Sequence, residues 1–237
     1  MPLLVPEKLE NFTPALCYDA SFSPASAPAD PAPMSPFREL AFVASYTAIS
    51  ALPPSGREVA VAGRSNAGKS SLINTLAQRK RLAFVSKTPG RTQQINFFDA
   101  GAGAHVVDLP GYGFARVPEA VRKEWEKLLE HYLLHREELV GLVVVMDARH
   151  PLMPLDRRML AWFQPTGKPI HVVLTKSDRL TRSQAARTLR EVRRELSAEF
   201  GGATAQMFSS VTRVGLPELQ EKIAMWLGKK MPPVKGE

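Results

Sequence analysis

The sequence predicts an α/β fold in which a mostly parallel central sheet is flanked by helices on both faces. Two observations lead to this prediction. Short apolar runs alternate along the chain with amphipathic segments, and this alternation is typical of parallel sheets covered by helices. A glycine-rich motif follows the first apolar run directly, and polar residues follow several later runs. In such folds, residues that follow the strands meet beyond the carboxyl edge of the sheet, where ligands bind.

The individual elements follow from the same patterns. Candidate strands are short runs of β-branched and other apolar residues, several of them apolar throughout, as in a sheet buried on both faces. They lie at residues 58–62, 93–99, 105–109, 142–147, 170–175 and 205–208. Candidate helices are segments whose apolar residues share one face. These faces contain Leu72, Ile73 and Leu76; Val117, Val121, Trp125, Leu128, Tyr132 and Leu133; Ala186, Leu189, Val192 and Leu196; and Leu219, Ile223, Trp226 and Leu227.

The first 36 residues differ in composition from the rest of the chain. They contain eight prolines and a stretch rich in Ala, Ser and Pro, and such a segment cannot sustain helix or sheet hydrogen bonding. We therefore expect a flexible extension over residues 1–36, one globular domain over residues 37–228 and a basic tail over residues 229–237.

The charge of the chain favours a polyanionic partner. The net charge is +8, and residues 1–36 contribute −3, so the remaining residues carry +11. An excess of this size favours phosphate contacts to a polyanion such as RNA, with release of counterions. A charge that serves only solubility is the alternative that the sequence leaves open.

Several classes of protein are disfavoured by the composition. Cys17 is the single cysteine, so we expect neither an internal disulfide nor a cysteine-based metal cluster. The N-terminus lacks the features of a secretory signal, and no stretch approaches the roughly 20 apolar residues of a membrane span. The histidines at 105, 131, 135 and 171 lack metal-site spacing. We therefore expect a cytoplasmic monomer with no membrane contact.

A phosphate-binding motif follows the first predicted strand. It has the form G-x-x-x-x-G-K-S and is completed by Gly63, Gly68, Lys69 and Ser70. The glycines allow backbone N–H groups to turn towards phosphates, the lysine supplies charge at the β- and γ-phosphates, and the serine hydroxyl is a ligand for Mg²⁺. An apolar helix opens directly after the motif, as such a loop requires. The segment therefore predicts a site for a nucleoside triphosphate.

A second motif, Asp108-Leu109-Pro110-Gly111, stands where another predicted strand ends. A carboxylate at this position can hold Mg²⁺ through its water shell, and the backbone N–H of Gly111 can sense a γ-phosphate. The motif is weak by itself, because Asp, Pro and Gly are also common in ordinary turns at strand ends.

A third motif, Thr175-Lys176-Ser177-Asp178, also stands at a strand end. A carboxylate can accept two hydrogen bonds from the N1–H and amino group of guanine, whereas adenine offers no matching pair of donors on that edge. The Lys176 stem can pack along the base. A capped surface turn would explain the tetrapeptide equally well in isolation, but its order after the other two motifs favours guanine.

The sequence K-T-P-G-R-T at residues 87–92 lies between the first two motifs. A polar loop of this kind could close over a nucleotide, with the Thr92 hydroxyl completing the Mg²⁺ shell when a γ-phosphate is present. Out of context it is merely a loop.

Five segments together carry a resemblance to a known family: G-R-S-N-A-G-K-S-S-L-I-N, S-K-T-P-G-R-T-Q, D-L-P-G-Y-G, M-D-A-R-H-P-L and L-T-K-S-D. In this order they resemble the EngB-type (YihA/YsxC) ribosome-biogenesis GTP-binding proteins, which are translation-factor-related P-loop GTPases. The resemblance extends from about Glu58 to Trp226. It implies a Ras-like fold, GTP binding with Mg²⁺, slow hydrolysis of GTP to GDP, and a role in assembly of the bacterial large ribosomal subunit and in cell division.

The resemblance also implies roles for individual residues. Lys69, Thr92 and Gly111 would be catalytic, and Ser70 and Thr92 would be the magnesium ligands. The partners would be GTP or GDP and the large ribosomal subunit or its precursor, with its ribosomal RNA and proteins. The nucleotide contacts would be Gly63, Arg64, Ser65, Asn66, Ala67, Gly68, Lys69, Ser70, Gly90, Arg91, Thr92, Gln93, Gln94, Asp108, Leu109, Pro110, Gly111, Thr175, Lys176, Ser177, Asp178, Phe208, Ser209 and Ser210.

Two positions bear on catalysis. Tyr112 stands where Ras-type enzymes place a water-orienting glutamine, so we expect a slow intrinsic rate that ribosomal RNA, protein or a cation raises. Asn66 occupies the phosphate-loop position at which related GTPases can coordinate K⁺, which would then act like an arginine finger. Potassium stimulation is therefore a hypothesis.

Other interpretations remain open at this point. A P-loop ATP-dependent kinase or ATPase is disfavoured by Asp178, and a nucleotide-gated RNA-binding module with negligible catalysis is kept open by Tyr112. The segment M-D-A-R-H-P-L at residues 146–152 is interpreted as a packed strand-to-helix turn, because buried strand ends commonly recruit polar caps.

Overall fold

The structure, a computed structural model, describes residues 35–83, 94–113 and 119–229, without the side chains of residues 119–122 and 125. Within these ranges one sheet has the strand order β1-β3-β4-β2-β5-β6-β7. Its strands are β1 (Ala41–Tyr46), β2 (Arg57–Gly63), β3 (Ile95–Gly101), β4 (Ala104–Asp108), β5 (Leu139–Asp147), β6 (Ile170–Thr175) and β7 (Thr204–Met207). β3 pairs antiparallel with both β1 and β4, and the other pairs are parallel.

Helices cover both faces of this sheet in the described part of the chain. They are α1 (Lys69–Leu76), α2 (Glu119–His135), α3 (Pro154–Phe163), α4 (Arg182–Glu199) and α5 (Leu216–Trp226), with short 3-10 helices at Ile49–Ala51, Gln164–Thr166 and Ser177–Arg179. Apolar residues of α2, α3 and α4 pack in one core cluster, and those of α1 and α5 pack in another. Alternate residues of β2 enter the two clusters, because successive strand side chains point to opposite faces. The predicted fold class is confirmed.

Parallel pairing brings the functional strand ends to one edge of the sheet. Val61 pairs with Asp108, Gly63 with Val145, and Asp147 with Thr175. The residues that follow β2, β4, β5 and β6 therefore meet beyond the same edge, as the alternation of strands and helices predicted.

Two elements differ from the sequence predictions. β1 was not predicted, because it is an edge strand that pairs only with β3 and leaves Phe42 and Val43 exposed, so its apolar residues do not alternate cleanly. α3 was not predicted either; it begins at Pro154, a residue favoured in the first helical turn. Outside β6, most predicted strand ends are shifted by one to three residues, as at Leu139, where β5 begins. Residues 93 and 117 lie outside the described residues.

Residues 1–34 and 230–237 lie outside the described residues, so the predicted extension and tail stay predictions. The chain is already packed at its first described residue. The Ser35 hydroxyl, which is buried, accepts a hydrogen bond from the Gln220 amide at 2.6 Å and contacts the Leu76 carbonyl at 3.4 Å. No described helix is both long and apolar enough to cross a bilayer.

Candidate nucleotide-binding site

The phosphate loop, residues 63–70, joins β2 to α1. A Cβ atom at Gly63 would lie 2.7 Å from the Val145 carbonyl oxygen, so glycine is required where β2 passes β5. Gly68 has a φ of +102° and Asn66 has a φ of +62°, which are left-handed conformations that suit Gly and Asn. α1 begins at Lys69, so the loop ends at a helix N-terminus, where free backbone N–H groups favour an anion.

Lys69 and Asp108 are brought together at the sheet edge. The Lys69 ammonium contacts the Asp108 carboxylate, and both side chains are largely buried. The Asn96 amide on β3 lies 3.4 Å from the other carboxylate oxygen of Asp108. The predicted phosphate-binding cation and the predicted carboxylate near Mg²⁺ therefore occupy one small region.

The oxygen donors present suit magnesium. The Ser70 hydroxyl lies on the first turn of α1, and the Asp108 carboxylate lies beside the neighbouring Lys69. Mg²⁺ takes one or two protein ligands and completes its shell with phosphates and water, so a small set of oxygen donors is enough to hold it. Thr92, the other predicted ligand, lies outside the described residues.

Thr175 and Lys176 attach the base-recognition motif to the phosphate loop. The Thr175 hydroxyl contacts the carbonyl oxygens of Ala67 and, at 3.0 Å, Met146. Lys176 has a φ of +59°, and its ammonium donates to the Asn66 carbonyl at 2.7 Å. The Lys176 side chain is thus held against the phosphate loop.

Asp178 is oriented by the loop that follows β7. The buried Ser209 hydroxyl donates to the Asp178 carboxylate at 2.6 Å and accepts from the backbone N–H groups of Val211 and Thr212. The Ser177 N–H also donates to the Phe208 carbonyl at 3.2 Å. The sequence-predicted segments 175–178 and 208–210 are therefore in contact.

The structure brings most of the predicted site residues together. Residues 63–70, 108–111, 175–178 and 208–210 surround the carboxyl ends of β2, β4, β6 and β7. Gln94 is exposed just before β3, and Gly90, Arg91, Thr92 and Gln93 lie outside the described residues.

Asp147 is a site residue that the sequence did not identify. Its carboxylate accepts hydrogen bonds from the Lys176 ammonium at 2.9 Å and from the Arg149 guanidinium at 2.9 and 2.7 Å. The Arg149 hydrogen bonds, followed by those of Lys176, hold the pKa of Asp147 well below its usual range. The segment at residues 146–152 is a packed turn, as interpreted, and it also holds the lysine of the base motif.

Tyr112, which the sequence places at the position of the water-orienting glutamine of Ras-type enzymes, is bound by a neighbouring helix. Its hydroxyl donates to the buried Asp156 carboxylate of α3 at 3.0 Å. Burial, and then the charge of Asp156, raise the pKa of Tyr112 well above its usual value. The phenol therefore stays protonated and remains a hydrogen-bond donor.

Comparison with known proteins identifies the family. Residues 58–176 match a family model described as "50S ribosome-binding GTPase". A relative from Aromatoleum aromaticum, "Probable GTP-binding protein EngB", is 60% identical over 193 residues, which are 81% of this chain and 89% of the relative. The chain belongs to the EngB family of GTP-binding proteins. An EngB protein from an Azoarcus species is 57% identical, over 81% of this chain and 92% of its own length.

A solved structure shares the fold. The "Crystal structure of a probable GTP-binding protein engB" superimposes with a TM-score of 0.57 at 20% identity, and the match covers 73% of this chain and 99% of that chain. Membership of the EngB family confirms the resemblance and the P-loop GTPase fold, and it establishes the chain as a GTPase. Membership of a GTPase family argues against the alternative of an ATP-dependent kinase or ATPase.

Proposed function

We propose that this GTPase is a GTP-switched factor in assembly of the bacterial large ribosomal subunit, and that its intrinsic hydrolysis is slow. The observation that carries the switch is the contact between the phosphate loop and the Asp108 loop, residues 108–113. The Ser65 N–H donates to the Tyr112 carbonyl at 2.9 Å, and the Tyr112 N–H donates to the Gly63 carbonyl at 3.3 Å. Gly111 directly precedes Tyr112, and a Cβ atom added to it would lie 3.5 Å from the Ser65 nitrogen and 3.6 Å from the Gly63 carbonyl oxygen. A γ-phosphate bound by the phosphate loop would therefore lie next to Gly111.

The residues divide the work of binding and hydrolysis. The Lys69 ammonium neutralises the β- and γ-phosphates, and the backbone N–H groups of the phosphate loop donate to phosphate oxygens. Ser70 and Thr92 are the proposed ligands of Mg²⁺, which supplies charge stabilisation at the transferred phosphoryl group. The Gly111 N–H and the Thr92 hydroxyl report the γ-phosphate. Asp178, held by Ser209, accepts the two donors of guanine.

The slow rate follows from the position of the Tyr112 hydroxyl. A water-orienting group must present a donor and an acceptor near the γ-phosphate, whereas this phenol is bound to Asp156. The reaction therefore relies on a group from outside the chain, which the family description and the charge of residues 37–237 suggest is ribosomal. We further propose that the protein acts as a cytoplasmic monomer.

Single-turnover GTP hydrolysis tests this proposal. We expect slow hydrolysis by the protein alone and faster hydrolysis with purified large ribosomal subunits. Rapid hydrolysis by the protein alone would contradict the slow-rate proposal. Unchanged, negligible hydrolysis with subunits would instead favour the nucleotide-gated RNA-binding module, which the engaged Tyr112 hydroxyl keeps as the second candidate.

Potassium stimulation is proposed on the position of Asn66. The backbone carbonyl oxygen of Asn66 accepts a hydrogen bond from the Lys176 ammonium at 2.7 Å. The residue itself is exposed at the bend of the phosphate loop. A K⁺ ion coordinated there would add positive charge next to the phosphates. Hydrolysis measured in KCl and in NaCl decides the point, because equal rates would exclude this role.

A further inference from the structure

We infer that Asp156 is a positioning residue that fastens the Asp108 loop to the phosphate loop and thereby favours GTP over GDP. This inference concerns the nucleotide preference of the GTPase site and does not depend on the proposed ribosomal role.

Asp156 lies on the first turn of α3 and is fully buried. One carboxylate oxygen accepts a hydrogen bond from the Tyr112 hydroxyl at 3.0 Å. The other accepts from the Arg64 Nε at 3.1 Å and from the Met153 backbone N–H at 3.1 Å. One buried carboxylate is therefore shared by the phosphate loop, the Asp108 loop and α3.

The two side chains that Asp156 binds belong to adjoining backbone segments. Arg64 and Tyr112 form an isolated parallel bridge. A Cβ atom added to the neighbouring Gly111 would lie 3.5 Å from the Ser65 nitrogen, so Gly111 packs directly against the phosphate loop. Asp156 thus acts on the pair of segments that must both contact a γ-phosphate.

Arg64 is fixed from a second side. Its Nη2 donates to the His150 carbonyl oxygen at 2.9 Å, which lies in the turn between β5 and α3. The guanidinium is therefore anchored to the turn and to the helix that follows it. Because Arg64 is bound both by Asp156 and by the His150 carbonyl, the Asp156 carboxylate is held in one position, in which it accepts the hydrogen bond from Tyr112.

Burial of the Asp156 carboxylate explains why the hydrogen bond from Tyr112 favours one position of the Asp108 loop. Burial raises the pKa of Asp156, whereas the charge of Arg64 and the Tyr112 hydrogen bond oppose that rise. A buried carboxylate that loses a donor is left less satisfied, which costs free energy. Movement of the Asp108 loop away from the phosphate loop would break the Tyr112 contact. Asp156 therefore favours the position in which the Gly111 N–H can reach a γ-phosphate, an interaction that GDP cannot use.

A chemically matched control exists elsewhere in the chain. The Tyr132 hydroxyl donates to the fully buried Glu58 carboxylate at 2.6 Å, and Arg136 Nη2 also binds that carboxylate at 2.6 Å. Glu58 lies near the start of β2, at the opposite end of the strand from Gly63. The substitution Tyr132→Phe therefore removes the same kind of hydrogen bond far from the phosphate loop.

Equilibrium binding of a non-hydrolysable GTP analogue and of GDP tests the inference in Tyr112→Phe, Asp156→Asn and Tyr132→Phe. We expect Tyr112→Phe and Asp156→Asn to raise the ratio of the GTP-analogue Kd to the GDP Kd roughly tenfold, the factor expected for one hydrogen bond to a charged group. Tyr132→Phe should lower the melting temperature but keep the wild-type ratio.

A residue with a merely structural role would give a different result. If Tyr112→Phe weakened both nucleotides by the same factor, or left the ratio equal to that of Tyr132→Phe, the inference would be wrong. Tyr112→Phe decides the question alone if Asp156→Asn fails to fold, because it removes one hydroxyl and leaves the Arg64–Asp156 ion pair in place.

Discussion

At the scale of single residues, Lys176 shows how the base motif depends on a side chain outside it. Its ammonium is held between the Asn66 carbonyl and the Asp147 carboxylate. The depressed pKa of Asp147 keeps this carboxylate ionised, so its stabilising effect is complete above the unfolded pKa of about 4 and is lost only in stronger acid. The lysine is therefore held in one position throughout the neutral range.

Substituting Asp147→Asn should weaken guanine-nucleotide binding. The lysine would lose its ionic partner and become mobile, so we expect the GDP Kd to rise roughly tenfold, in line with the loss of one charge-assisted hydrogen bond. Titration calorimetry measures this change. Arg149→Gln is the control, because it leaves the contact between Asp147 and Lys176 intact and should have a smaller effect. Equal Kd values for wild type and Asp147→Asn would show that this carboxylate is not needed.

The contacts of Asp147 also show which parts of the site could not be predicted from the sequence. The three nucleotide motifs were predictable because each is a local pattern at a strand end. Asp147 meets Lys176 only because β5 and β6 pair in the register that sets Asp147 opposite Thr175. Tyr112 and Asp156 are likewise joined only by the folded chain. Pairings between distant residues depend on register and packing, which a single sequence does not encode as a local pattern.

At the scale of elements, the same distinction separates β6 from β1. β6 was predicted at its observed limits because it is buried throughout. β1 is stabilised by pairing with β3, which is distant in sequence, and by edge-to-face contacts of Phe42 with Phe98 and of Tyr46 with Phe97. The sequence of β1 gives too weak a strand pattern, because three of its six residues, Ala41, Phe42 and Val43, are exposed.

His171 joins β6 to β7 through a buried hydrogen-bond chain. Its Nε2 lies 2.8 Å from Gln206 Oε1 and its Nδ1 lies 2.7 Å from the Thr204 hydroxyl. Because the Gln206 amide nitrogen donates to the Gly215 carbonyl, Gln206 presents an acceptor to the ring. Nε2 therefore carries the proton and Nδ1 accepts from Thr204, so the neutral imidazole satisfies both partners.

This arrangement predicts a pH-dependent stability. Burial lowers the pKa of His171 to about 4, so below the unfolded pKa of about 6.5 only the unfolded state binds the proton. The free energy of unfolding should fall as pH decreases from about 6.5 to about 4, by up to about 1.4 kcal/mol per pH unit. Urea unfolding across this range measures the slope. His171→Gln should remove this component, and an unchanged slope in that variant would assign the effect to other groups.

At the scale of the whole molecule, positive charge is concentrated in the stretch of sequence that contains the phosphate loop. No Asp or Glu lies between Glu58 and Asp99, and this segment contains seven Lys or Arg residues. Three of them, Arg79, Lys80 and Arg81, are exposed after α1, and no ion pair joins them to another described residue. Asn74 fixes this basic turn through hydrogen bonds of 2.7 and 2.9 Å to the backbone of Ala83. The proposed ribosomal role predicts that the turn contacts RNA phosphates.

Replacing Arg79, Lys80 and Arg81 together by Gln should weaken binding to large ribosomal subunits. The slope of log K against log salt concentration is negative, and each lost phosphate contact reduces its magnitude by roughly 0.7 to 0.9, so in the triple variant the magnitude should fall by roughly two units. The control carries Gln at Arg182, Arg190 and Arg194, exposed residues of α4, and has the same net charge. Equal slopes in the two variants would show that overall charge, and not this turn, determines binding.

In the proposed function, GTP controls binding to the large ribosomal subunit. Co-sedimentation of the wild-type protein with purified large and small subunits, in a non-hydrolysable GTP analogue and in GDP, at several salt concentrations, tests this claim. Gly111 packs against the phosphate loop, so in the proposed switch the γ-phosphate changes its surroundings. We therefore expect binding to the large subunit with the GTP analogue and clearly weaker binding with GDP. Binding to neither subunit with the GTP analogue, or equal binding in both nucleotides, would contradict the claim.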